Sequence, residues 1–123
     1  MKTRFKVLLP LLWLSVLPAV VQAQFTFTTN KGAITITGYP GCAGAVSLPS
    51  AANGLPVTSI GGYAFQSRTT LTNVTIPDSY TNIGDGAFSY CTRLTSITLS
   101  NGIVSIGNHA FYYCTAPDIP ASR

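Results

Sequence analysis

From Val57 onward, one phrase of sequence is written three times. Ser59-Ile60-Gly61 with Ala64-Phe65 returns as Asn82-Ile83-Gly84 with Ala87-Phe88, and again as Ser105-Ile106-Gly107 with Ala110-Phe111. Each copy lies 23 residues after the last, and Leu71, Val74 and Ile76 return as Leu94, Ile97 and Leu99. A fixed period in the twenties marks a solenoid, whose units bury their apolar face only by stacking on neighbours. In Leu71-Thr72-Asn73-Val74-Thr75-Ile76 the apolar residues hold the first, fourth and sixth places, which predicts a short strand with Thr75 facing out. Ala64 and Phe65 sit in a stretch too short for an ordinary α-helix, so a single turn of helix or 3₁₀ is expected there. Phe65, Phe88 and Phe111 are then expected to stack as an internal ladder. Gly61, Gly84 and Gly107 are expected to supply a bend that a side chain would hinder. The fold class is a β-rich solenoid of the α/β leucine-rich type: short parallel strands, one-turn helical or 3₁₀ segments and an N-terminal hairpin cap.

That cap is read from residues 24–56. Phe25 and Phe27, then Ala33 to Thr37, alternate on either side of Asn30-Lys31-Gly32, the pattern of a β-hairpin. A glycine- and proline-marked loop follows, then Val46 and Leu48 in a strand-like piece, then a turn centred on Asn53-Gly54. The repeats occupy 57–79, 80–102 and an incomplete 103–123.

Residues 1–23 read as a secretory signal peptide. Lys2, Arg4 and Lys6 precede an apolar run from Val7 to Val21, and Val21-Gln22-Ala23 offers small residues for cleavage after Ala23. The run is shorter than the roughly 20 apolar residues of a membrane span. With the leader removed, Lys31, Arg68, Arg93 and Arg123 face Asp78, Asp85 and Asp118, so the formal charge of +4 belongs mostly to the leader. No basic stripe remains for phosphates, which argues against nucleic acid, and no membrane contact is expected after cleavage.

The unit VTSIGGYAFQSRTTLTNVTIP and its cognate TNIGDGAFSYCTRLTSITL resemble the BspA-type leucine-rich repeat family. The resemblance covers residues 57 to 116 closely. It implies a secreted or surface protein, in a family with some members implicated in adhesion to host matrix proteins. The expected function is a secreted or cell-surface, non-enzymatic module that binds an unknown protein or polysaccharide. The alternative is the truncated stump of a longer array with no binding role of its own.

Two departures from the family unit matter. The usual cysteine column reads Arg68, Cys91, Cys114, and Pro117 and Pro120 stand where Leu94 and Ile97 have their next equivalents. Proline donates nothing to a ladder. The strand from Leu94 to Leu99 is therefore expected to be a sheet edge, open to self-association through the C-terminal repeat, unless Pro117 to Arg123 form a cap.

Catalytic and metal readings find little purchase. Cys91 and Cys114 would lie on adjacent coils with parallel side chains, so two buried thiols are favoured over a bridge. His109 could pair with Cys114 or Asp85, but a third orienting or ligating group is missing. No enzyme activity, cofactor or metal is expected. Leu55-Pro56-Val57-Thr58-Ser59 lacks the glycine and tail of a sorting signal, and Asn73-Val74-Thr75 lies in a strand and is expected to carry no glycan. The candidate binding face is the hydroxyl-rich one: Thr72, Asn73 and Thr75 beside Thr95, Ser96 and Thr98. Tyr63, Tyr90, Tyr112 and Tyr113 are expected on the turn side, where tyrosine offers large contact area with few torsions.

Overall fold

A computed structural model describes residues 25–115 of the chain. The leader with its cleavage site, and Ala116 to Arg123 with Pro117 and Pro120, lie outside the described residues. What is described is a β-solenoid of about three turns. The elements are β1 (Thr26–Asn30), β2 (Ala33–Gly38), β3 (Ala45–Ser47), β4 (Ala51–Ala52), β5 (Leu55–Ile60), β6 (Asn73–Thr75), β7 (Asn82–Ile83), β8 (Ser96–Thr98) and β9 (Ser105–Ile106).

Each coil contributes to two parallel ladders, not one. The expected ladder of Val74-type strands is β3-β6-β8, with Val46 opposite Val74 and Val74 opposite Ile97. A second runs β2-β5-β7-β9, with Ile36 beside Ile60, Ile60 beside Ile83 and Ile83 beside Ile106. Between the ladders lies a core of fully buried Ile34, Ile36, Val57, Ile60, Phe65, Leu71, Val74, Ile83, Phe88 and Leu94. The Phe65, Phe88 and Phe111 rings stack as expected, with centroids 4.9 and 5.4 Å apart and planes within 16° and 2°. Tyr39 continues the column downward at 5.5 Å from Phe65, and Phe25 closes it at 6.2 Å.

The N-terminal hairpin forms around Lys31 and Gly32, both at positive φ. Its second strand, β2, already belongs to the long ladder, and β3 begins the short one. The region read as a cap is thus one strand, β1, plus a first coil. Val74 lies 28 residues after its partner Val46, whereas later coils keep 23. The excess is the β4–β5 hairpin turning at Asn53 and Gly54, both also at positive φ.

The expected helical turn is absent from the described residues. Residues 61–68 form linked turns instead, and their amides alternate in destination. The Ala64, Gln66 and Arg68 amides donate three residues back, to Gly61, Tyr63 and Phe65. Those of Tyr63, Phe65 and Ser67 donate to the next coil, to Asp85, Ala87 and Ser89. A 3₁₀ segment would turn every amide inward and leave the coils unconnected there. The alternation is set by left-handed residues at Tyr63 (φ 58°) and Ser67 (φ 60°), repeated at Gly86 and Tyr90 and at His109 and Tyr113.

Gly61, Gly84 and Gly107 have no left-handed backbone, contrary to the expected bend. Their role is proximity: a Cβ on Gly84 would lie 2.6 Å from the Gly62 nitrogen and 2.8 Å from the Gly61 carbonyl carbon. Glycine here sets how closely coils approach.

Candidate functional site

Threonine and serine hydroxyls serve the stack before they serve a surface. Thr81, Thr95 and Ser100 each donate to a carbonyl one coil back: Thr58 at 3.3 Å, Thr72 at 3.3 Å and Pro77 at 2.9 Å. The Thr115 hydroxyl bonds the Thr92 carbonyl in the same way. Thr72 donates to Gly44 at 3.0 Å. Thr72 and Thr95, two of the six residues of the candidate face, therefore spend their hydroxyl protons on the backbone. Asn73, Thr75, Ser96 and Thr98 do form a polar sheet surface, in register as Asn73 beside Ser96 and Thr75 beside Thr98. Ala45 and Ser47 extend it by one row.

The turn side is different in kind. Tyr90 and Tyr113 occupy the same place on successive coils, and their rings stack 5.2 Å apart at 12°. Tyr112 stands edge-on to both, 5.7 Å from Tyr90 and 4.7 Å from Tyr113. His109 packs edge-on against Tyr112 at 5.2 Å. All four side chains are exposed, Tyr113 the most at 63%. Tyr63 lies apart from the cluster, with its ring over Gly86, whose added Cβ would meet the Tyr63 ring at 2.3 Å.

The backbone beneath these rings is informative. Tyr90, His109 and Tyr113 all have φ near 60°. That conformation costs an L-residue roughly 1–2 kcal/mol and costs glycine nothing. Gly86 holds the corresponding place in its coil. Large aromatics stand at positions where the fold itself would favour glycine. The sequence reading placed these tyrosines on the turn side but did not join them into one cluster. Their common register, Tyr90 and Tyr113 at the 23-residue offset, was the available signal.

The candidates for chemistry have other partners. The Cys91 thiol donates to the Phe65 carbonyl at 3.0 Å, and the Cys114 thiol to the Phe88 carbonyl at 3.1 Å. Both are free thiols, as is exposed Cys42. Burial pushes the Cys91 thiol up to about 11 and raises that of Cys114. Asp85 Oδ1 accepts the Asn108 amide at 2.8 Å. Among the described residues, no group of three His, Cys, Asp or Glu side chains is placed to hold a metal ion. Tyr80, which the sequence reading passed over, is fully buried and donates from its hydroxyl to the Pro49 carbonyl at 2.7 Å. Burial raises its pKa.

Paired parallel ladders at a 23-residue period, with the L-x-x-L-x-L pattern at Leu71-Val74-Ile76 and again at Leu94-Ile97-Leu99, define a leucine-rich repeat solenoid. The chain belongs to the BspA type leucine rich repeat family, whose model matches residues 45–120. The match begins at β3, in agreement with a first coil inside the N-terminal region. Among solved structures, the chain is similar to the leucine-rich repeat protein of T. pallidum, at 35% identity and a TM-score of 0.72, over 77% of this chain and 48% of that one. A leucine rich cell surface protein of Faecalibacterium prausnitzii is 33% identical, with a TM-score of 0.66, over 73% of this chain and 26% of that one. A leucine-rich repeat protein of Bacteroides capillosus is 26% identical, with a TM-score of 0.62, over 78% of this chain and 91% of that one. The chain thus spans about half the length of the T. pallidum protein and a quarter of the F. prausnitzii one. No curated protein matches it.

Proposed function

We propose that this protein is a non-enzymatic binding module acting outside the cell, and that it holds a protein or glycan partner through Tyr90, Tyr112 and Tyr113. The observation that carries the reading is the exposed aromatic cluster in which Tyr90 and Tyr113 are kept on left-handed backbone, where glycine would be less strained. Strain kept at a surface position points to a role other than folding. Tyrosine suits such a role because it offers broad, rigid contact area and a hydroxyl at the rim. The resemblance to a cell surface protein of F. prausnitzii supports an extracellular place, and the leader read in residues 1–23 would supply the route. The hydroxyl face of Asn73, Thr75, Ser96 and Thr98 is the second candidate surface, weakened by the loss of the Thr72 and Thr95 hydroxyl protons to the backbone.

The test is surface plasmon resonance of the chain against matrix proteins and against polysaccharides in separate arms. Tyr113→Ala and Tyr112→Ala are expected to cost about 2 kcal/mol each, near thirtyfold in affinity, as interface tyrosines do. Thr75→Ala and Thr98→Ala should change little. The reverse pattern would move the site to the sheet face, and no binding in either arm would defeat the reading.

A further inference from the structure

Each turn segment carries two left-handed places, and over three coils these form two columns on the outside of the stack. The first column holds Tyr63, Gly86 and His109, the second Ser67, Tyr90 and Tyr113, all with φ of 58–60°. Gly86 is the one glycine among the six, yet its place is not bare. A Cβ added there would meet Cε1, Cδ1 and Cζ of Tyr63 at 2.3, 2.6 and 3.1 Å. The Tyr63 ring thus leans one coil forward, into the space that a Gly86 side chain would take, and Gly86 itself is buried. Ser89 stands between the two columns on the same coil; it is buried too and donates to the Gly86 carbonyl at 2.9 Å. The second coil is therefore low between the Tyr63 ring on one side and the Tyr90 ring on the other.

Tyr63 offers a ligand something that the other three tyrosines do not. Tyr90 and Tyr113 spend ring surface on each other, and Tyr112 stands edge-on to both. Tyr63 meets no other ring among the described residues, and described coils lie on both sides of it. The four tyrosines are 59, 42, 46 and 63% exposed in chain order. That amounts to about two whole side chains, roughly 400 Å², against the about 800 Å² that a stable protein interface takes from each partner. No exposed large aliphatic side chain extends the patch on the turn side among the described residues, since Val104 and Ile106 belong to the strand side. Nor does an acid or a fixed cation stand in either column or between them. The face is small, aromatic, hydroxyl-bearing and without formal charge. A neutral sugar chain has the matching chemistry: C–H groups on the faces of each ring and hydroxyls around its rim. A sulfated or uronate chain would find no cation in the strip to pair with.

We propose that the ligand of this face is a neutral polysaccharide, with one sugar seated against the Tyr63 ring and its neighbours among the hydroxyls of Tyr90, Tyr112 and Tyr113. The proposal rests on the reading of the tyrosine cluster as the binding surface, and adds Tyr63 and Gly86 to it. The experiment is an NMR titration of the chain with linear hexasaccharides of glucose, mannose and xylose, with heparin and collagen as separate arms. The expected result is that at least one neutral hexasaccharide shifts the ring signals of Tyr63, Tyr90 and Tyr112, while heparin does not. Tyr63→Ala should weaken that binding about tenfold, and Tyr63→Phe should keep it within about threefold, because the ring face and not the hydroxyl is used. Gly86→Ala leaves every tyrosine in the chain but crowds the Tyr63 ring from its place, so it should weaken binding as Tyr63→Ala does. Should Gly86→Ala fail to fold, Tyr63→Ala, a change at an exposed side chain, decides alone. Neutral sugar binding that is indifferent to Tyr63→Ala would overturn the proposal. Binding of heparin or collagen alone, lost with Tyr112→Ala, would overturn it and leave the cluster as the binding surface. No binding in any arm would defeat both.

Discussion

Phe88 has a ring stacked on each side, 4.9 Å from Phe65 and 5.4 Å from Phe111, and no exposed surface. Its neighbours are held by the coils above and below, so they collapse poorly into a gap. Phe88→Ala should therefore cost about 3–5 kcal/mol, read as a fall in the denaturant midpoint. Phe111 is half-buried and, among the described residues, has one ring neighbour in the column, so Phe111→Ala should cost clearly less. Equal losses would mean that the column is not the centre of the core. Cys91 makes a pH prediction. Its folded value of about 11 lies above the ordinary 9.0, because burial disfavours the thiolate. A raised value adds stability that is whole below pH 9 and lost as pH rises toward 11. Alkaline denaturant titrations should show that loss, and Cys91→Ala should reduce its slope. Tyr80, also raised, adds a further loss above pH 10 that Cys91→Ala leaves in place.

The turn segments and the glycine column decide whether coils can stack at all. Amides in residues 61–68 alternate between their own turn and the next coil, so each turn is also a rung. Gly84 lies where that rung is tightest. An added Cβ would meet backbone atoms of Gly61 and Gly62 at 2.6–2.8 Å, and backbone cannot swing aside as a side chain can. Gly84→Ala should force two coils apart and lower stability by more than about 2 kcal/mol, through the clash with backbone alone. Calorimetry of this variant beside Ser67→Gly is the check. Ser67 is exposed at φ 60°, so glycine there relieves strain and should leave the melting temperature level or raised. A tolerant Gly84→Ala would show that the spacing is not set there.

As a whole the molecule is a short one-dimensional stack, in which each coil draws stability from the one before and after it. The last coil has a neighbour on one side only among the described residues, and its Ile106 is exposed where Ile60 and Ile83 are buried. Appending one consensus repeat with a polar outer face should raise the melting temperature and bury Ile106, measured by thermal unfolding and hydrogen exchange of 104–106. An unchanged melting temperature would mean that this end is already closed. How much of this could be read in advance follows from what repeats in sequence and what repeats only in space. The period, the Val74–Ile97 strand column and the phenylalanine ladder were legible, because each needs only the identity of residues 23 apart. The first coil was not, since the β4–β5 hairpin stretches its offset to 28. Nor was the second ladder: Ile60, Ile83 and Ile106 stand in two-residue strands or strand ends too short for an alternating pattern. The turns read as helical from their length, but amide destinations depend on φ at Tyr63 and Ser67 and on a coil not adjacent in sequence. The same holds for the surface. Residue types marked a hydroxyl face and a set of tyrosines, while the tertiary structure decided which hydroxyls were consumed and which rings met. Sequence alone determined that the chain must stack, because a unit of 23 residues cannot bury its own apolar face. Only the stacked structure decided what the stack leaves outside, because that depends on which backbone and side-chain groups the neighbouring coil has already used.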